Sequence, residues 1–145
     1  MPLLIAVVLA MVSVFATTAL HYETIHRLDL YARTRPAYPT LYGVITALIL
    51  LHMAEIGLYA VLFALADGPL ALGDFKGAGV MGPMDDIYFA AEAYASLGYG
   101  DVTPTGEMRL IASVAPLNGI LLLAWSGSFL FALVQHWRGK DAADR

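Results

Sequence analysis

The sequence predicts an all-α integral membrane protein with three crossing helices and one shorter, re-entrant helix. Three observations carry this prediction. Of 145 residues, 59% are hydrophobic and 14% charged, and the mean hydropathy is +0.69, too apolar for a typical soluble domain. Long apolar runs cover Pro2 to Leu20, Leu41 to Leu65 and Leu110 to Gln135. The basic residues avoid the middle of the chain: Arg27, Arg33 and Arg35 follow the first run, and Arg138, Lys140 and Arg145 follow the last. There are no cysteines, which excludes disulfides and thiolate metal sites, and the net charge of -4 argues against a nucleic-acid partner. No repeat or low-complexity tract is visible, so one membrane domain is the simplest division.

Pro2 to Leu20, at about 19 residues, just spans a hydrocarbon core. Val14-Phe15-Ala16 would pass as a leader cleavage site, but no basic segment precedes the apolar run, so a retained helix is expected. His21 to Thr40 mixes arginines with Glu23 and Asp29, and Pro36 and Pro39 end any helix that continues past Leu28. It reads as a loop or a surface-lying stub. Leu41 to Leu65 is long enough to cross with some tilt. Ala66 to Pro83 is rich in glycine and reads as an exposed connection. Met84 to Ala95 is helical in pattern, with Pro83, Asp85 and Asp86 suited to a first turn, and at about 12 residues it is too short to span. A last crossing covers residues 109–136, and the polar residues 137–145 form a tail.

The middle connection holds only Lys76, with Arg109 at its edge. By the positive-inside rule the first loop and the tail are cytoplasmic, and the N-terminus lies outside. The short helix and the residues after it then enter the membrane from the outside.

Those residues are Ser96-Leu97-Gly98-Tyr99-Gly100-Asp101. Gly98 and Gly100 accept backbone angles closed to other residues, so successive carbonyls can turn to one side instead of alternating as in a strand. Aligned carbonyls are cation ligands. The segment resembles the selectivity filter of potassium channels, Thr-Val-Gly-Tyr-Gly-Asp, with Ser96 and Leu97 where Thr and Val are usual. With its flanks, roughly Leu41 to Gln135 resembles the pore domain of the potassium-channel superfamily: outer helix 41–65, turret 66–83, pore helix 84–95, filter 96–101, inner helix 109–136. Residues 1–40, an extra crossing helix and a cytoplasmic loop, lie outside the resemblance.

The resemblance implies a homotetramer in which Ser96, Leu97, Gly98 and Tyr99 bind K+, the permeant ion, with no other cofactor. Glu92 matches a family glutamate paired behind the filter with the aspartate after GYG, here Asp101; the alternative has Glu92 facing water at the outer mouth. Gly100 belongs to the same support. Tyr88 and Phe89 match family tryptophans that cuff the filter, or else pack on neighbouring helices. Gly119 falls at the family's gating hinge, and glycine is equally common at tight helix contacts. Asn118, Ser126 and Ser128 face a cavity or bond neighbouring helices. Outer acids, Asp67, Asp74, Asp85, Asp86, Asp101 and Glu107, would concentrate cations or are ordinary surface charge.

His52 and Glu55 stand one turn apart in the middle of a crossing, where ionisable groups are costly and paired. They read as a pH-sensitive or structural pair, better satisfied by bonds to the pore or last helix than by a metal, for which two ligands are too few. No crossing carries the repeated arginines of a voltage sensor, and the tail is too short for a regulatory domain. The function expected is passive, potassium-selective conduction without enzymatic chemistry, in a bilayer for which a bacterial inner membrane is the expected host. The alternatives are a weakly selective cation channel, given Leu97, and a non-conducting membrane scaffold or sensor.

Overall fold

A computed structural model describes residues 1–77 and 83–143. It contains four helices, α1 (Pro2–Ala32), α2 (Ala37–Asp67), α3 (Pro83–Tyr94) and α4 (Met108–Ala143), and two short strands, β1 (Phe75–Gly77) and β2 (Val102–Pro104). Three helices are long and apolar enough to cross a membrane, over Pro2–Ala32, Ala37–Asp67 and Met108–Lys140. At about 1.5 Å per residue each exceeds a hydrocarbon core of about 30 Å, so their ends reach the headgroups. By the same measure α3, with 12 residues, is only about 18 Å long.

The loop or surface stub expected over His21 to Thr40 is helix as far as Ala32. The reason lies in charge spacing. Arg27 donates to Glu23 at 2.6 Å and Arg33 to Asp29 at 2.7 Å, both four residues apart. Each such exposed pair adds about 0.3–0.5 kcal/mol to a helix, and no breaker intervenes before Pro36. The chain then turns sharply, and α2 begins at Ala37 rather than Leu41. Pro39 falls in the first turn, where a missing N–H leaves no hydrogen bond unmade. At the other end α4 runs through the expected tail to Ala143.

Helix packing inverts the pattern of a water-soluble protein. The buried face of α1 is small or polar at Ala6, Ala10, Ser13, Thr17, His21 and Ala32, with Ile25 the exception, while Leu4, Phe15 and Leu30 point outward. Small residues let helices approach closely where lipid leaves no hydrophobic drive between them. The core has two apolar parts. One gathers Tyr59, Phe63, Phe89, Tyr94 and Ile111 near α3, and the other gathers Val44, Leu48, Phe129, Leu133 and Trp137 toward the α1–α2 turn. Between them lie the buried polar residues His21, His52, Glu55 and Ser126.

The connection after α2 is more ordered than its composition suggests. β1 pairs antiparallel with β2, with Lys76 opposite Thr103 and Phe75 opposite Pro104. Thr105 N–H also donates to the Asp74 carbonyl at 2.9 Å. Phe75 thereby reaches Phe63 and Phe89, with ring centroids 6.0 and 5.0 Å away. The residues between α3 and β2 are thus held at both ends.

Candidate functional site

Helix α3 ends in a motif that sets the path of the chain after it. Ser96 N–H donates to the Ala93 carbonyl at 3.1 Å and Leu97 N–H to the Glu92 carbonyl at 2.8 Å, with Ser96 at φ 58°. This is the Schellman pattern, with Ser96 where glycine is usual. A left-handed non-glycine residue costs about 1–2 kcal/mol, offset here by the two capped carbonyls. Positive φ recurs at Gly98 (58°) and Gly100 (78°), so left-handed residues alternate with Leu97 and Tyr99. The six residues from Ser96 to Asp101 are all exposed on the single chain.

Four predicted residues meet behind this segment. Tyr88 Oη donates to Asp101 Oδ2 at 2.9 Å, and its ring stacks on Tyr99 with centroids 6.5 Å apart and planes within 20°. Asp101 Oδ1 accepts from Val102 N–H at 3.1 Å, which anchors the carboxylate to β2. Glu92 is 4% exposed. The backbone N–H of Tyr99 favours its ionised form, while Oε2 has no partner among the described residues. Burial, and then the charge of Asp101, push the Glu92 carboxyl above the ordinary glutamate range. Glu92 is therefore buried, not facing water on this chain, and among the described residues the expected bond between it and Asp101 is not formed: Asp101 bonds Tyr88 and Val102 instead. Phe89 turns the other way, edge-on to Phe63 at 5.0 Å.

Gly119 packs against the C-terminal end of α3. A Cβ there would lie 2.1 Å from the Tyr94 carbonyl oxygen, so only glycine permits this approach of α4. Three residues earlier, Pro116 lies inside α4; it removes a backbone donor there. Asn118 donates to Thr17 Oγ1 at 2.6 Å and to Tyr59 Oη at 3.0 Å, which joins α1, α2 and α4. Ser128 bonds its own helix at the Ala124 carbonyl.

His52 and Glu55 meet as their spacing predicts, with Nδ1 3.0 Å from Oε2. They also meet α3 and α4: Tyr94 Oη donates to Glu55 Oε2 and stands 2.8 Å from His52 Nδ1, and His52 Nε2 is 3.0 Å from Ser126 Oγ. The residue whose burial hydropathy alone conceals is His21. It is fully buried, its Nδ1 lies 2.9 Å from Glu55 Oε1, and its Nε2 lies 3.4 Å from Ser126 Oγ. The signal was available in the run Ser13, Thr17, His21, which is spaced by four on the small-residue face of α1.

The two ends of the molecule differ in charge. Lys140 Nζ donates to the Arg33 carbonyl at 3.0 Å, so the basic residues of the α1–α2 turn and of the end of α4 gather together. The acids Asp67, Asp85 and Asp101 lie at the other end, around α3 and the strands.

A family model described as "Ion channel" matches residues 47–136, from within α2 through α3 to α4. No curated protein and no solved structure matches the chain.

Proposed function

The chain belongs to this ion-channel family, with a pore domain of the two-transmembrane, potassium-channel-like kind, and we propose that it forms a homotetrameric, potassium-selective channel. In this reading α3 is a re-entrant pore helix and Ser96 to Asp101 is the filter. Carbonyls of Ser96, Leu97, Gly98 and Tyr99 replace the hydration shell of K+. One observation carries the reading: left-handed residues alternate along an exposed segment directly after a short helix inside a membrane bundle. Irregular backbone at membrane depth is tolerated only when buried in protein or lining a watery cavity. A ring of four chains supplies both conditions, since closed rings complete shared sites.

The supporting residues then have roles. Tyr88 and Asp101 tie the outer end of the filter to the pore helix, and Glu92 lies buried on the same helix. The C-terminal end of α3 presents the negative end of its dipole to a cation. Gly119 keeps the inner helix against Tyr94 and serves as contact rather than as free hinge. The basic end of the bundle faces the cytoplasm and the acidic end faces outward, with the bacterial inner membrane as host. The pore domain comprises outer helix, turret, pore helix, filter and inner helix, and α1 is an added brace.

Purified protein in potassium-loaded liposomes tests the proposal. Potassium efflux with little sodium flux is expected. Equal fluxes of the two ions would favour a weakly selective cation channel, and no flux would favour a non-conducting scaffold.

A further inference from the structure

We propose that His21, His52 and Glu55 form a binding site for one divalent transition-metal ion of the zinc type, inside each chain's own helix bundle. The site is separate from the conducted ion's path and does not depend on the channel reading. One ligand atom from each residue lies within 4.8 Å of the others. His21 and Glu55 are fully buried, and His52 is 9% exposed. Two imidazoles and one carboxylate, with no thiolate in the chain, make a donor set suited to zinc and its neighbours rather than to potassium, calcium or magnesium, which prefer oxygen alone.

The two rings of the site are oriented alike. Both Nδ1 atoms face the Glu55 carboxylate, at 2.9 and 3.0 Å, and both Nε2 atoms converge on one oxygen, Ser126 Oγ, at 3.4 and 3.0 Å. A neutral imidazole has a single N–H. If both rings donate to Glu55 from Nδ1, two bare Nε2 atoms compete for the one hydroxyl proton of Ser126. In that tautomer pair one buried acceptor is left unsatisfied. A cation on the Nδ1 side reverses the arrangement: each ring carries its proton on Nε2, and the hydroxyl oxygen accepts both. Metal-bound histidines characteristically donate their second N–H to such an outer partner.

Tyr94 supplies the remaining direction. Its Oη stands 2.8 Å from His52 Nδ1 and bonds Glu55 Oε2, so it flanks the position a fourth ligand would take. Zinc bonds of about 2.0–2.1 Å place tetrahedral donors roughly 3.3 Å apart, close to the spacings already present. Glu55 offsets part of the ion's charge in a setting where uncompensated charge is costly. The ligands come from α1 and α2, the outer partner from α4 and the flanking phenol from α3. An ion here would lock the N-terminal helix to the remainder of the bundle.

The test uses the full chain in detergent micelles or nanodiscs, stripped with a chelator and titrated with Co2+, and with Zn2+ against a chromophoric competitor. The expected result is one ion per chain, visible d–d bands of four-coordinate Co2+, and a higher Tm with Zn2+. Affinity should drop about 10–100-fold in Ser126→Ala, the usual effect of losing an outer partner, and binding should vanish in His21→Gln and Glu55→Gln. Should those two fail to fold, the wild-type titration and Ser126→Ala decide. Folded wild-type protein without saturable Co2+ or Zn2+ binding would overturn the proposal, leaving a ring of hydrogen bonds that holds only a proton. Unchanged affinity in folded Ser126→Ala, His21→Gln or Glu55→Gln would overturn it as well.

Discussion

Tyr88 donates its phenolic O–H to Asp101 at 2.9 Å across 13 positions of sequence, tying the first half of α3 to the residue that follows the GYG turn. The same ring lies over Tyr99, so one side chain restrains two consecutive parts of an otherwise exposed segment. Its bond to Asp101, foremost, pushes the Tyr88 phenol up to about 12 from the ordinary 10.0. A group whose neutral form is favoured in the folded state contributes fully below its unfolded pKa, and the contribution is lost as pH rises through the folded one. In the folded channel the bond lasts until the phenol itself titrates, so ion selectivity should hold through neutral and mildly alkaline pH and decline through about pH 12. Tyr88→Phe should lower the K+/Na+ permeability ratio roughly threefold or more, the scale of one net hydrogen bond. The ratio measured across pH for both proteins checks this.

Glu92 gives a prediction of the same sense at lower pH. Burial and the nearby Asp101 raise its pKa, so the folded protein prefers the neutral carboxylic acid. Stability is unaffected below the ordinary glutamate range and falls as pH rises from there toward the raised value. Glu92→Gln, neutral at every pH, should melt higher than the wild type at about pH 8 and converge with it near pH 4. Thermal melts at the two pH values check the sign. A lower Tm for Glu92→Gln at the higher pH would show that the ionised carboxylate is what the site requires.

Much of this arrangement was legible because it rests on length and spacing. The crossings followed from apolar runs, the short helix from its breaker-free stretch ahead of Gly98, and the meeting of His52 with Glu55 from their separation by one turn. What hydropathy concealed was helix carried by charge. His21 to Ala32 looks like a loop to a window that counts apolar residues, yet Glu23–Arg27 and Asp29–Arg33 sustain it. The pairing of β1 with β2 was not legible, since Phe75-Lys76-Gly77 has no alternation and its partner lies beyond α3. His21 follows the apolar run, where water is expected, yet α1 continues past it and buries it against Glu55.

Gly119 tests whether close helix contact governs α4. By propensity alone, alanine in a helix gains about 1 kcal/mol over glycine. At Gly119 the added Cβ would lie 2.1 Å from the Tyr94 carbonyl oxygen, whereas at Gly127 nothing stands within 4 Å. Gly119→Ala should cost about 1–3 kcal/mol, the usual penalty of overpacking, and Gly127→Ala should be neutral or stabilising. Thermal stability of the two variants, measured side by side, checks the contrast. Flux should fall in the first and persist in the second.

Leu97 is 54% exposed on the single chain, and its N–H caps α3 through the Glu92 carbonyl. In the proposed filter it binds through its carbonyl, whatever the side chain. A γ-branched residue, however, has to fit where the family's valine packs. Leu97→Val should leave conductance intact and raise the K+/Na+ permeability ratio, which reversal potentials of the variant and wild type would reveal. A lower ratio would mean that the rest of the chain is adapted to leucine.

The most direct test of the central claim is the reversal potential of the reconstituted full chain in a planar bilayer, with K+ on one side and Na+ on the other. A large shift toward the potassium equilibrium potential, carried by discrete single-channel currents, is the predicted result. A reversal potential near zero, or a bilayer that stays silent with folded protein present, would contradict it.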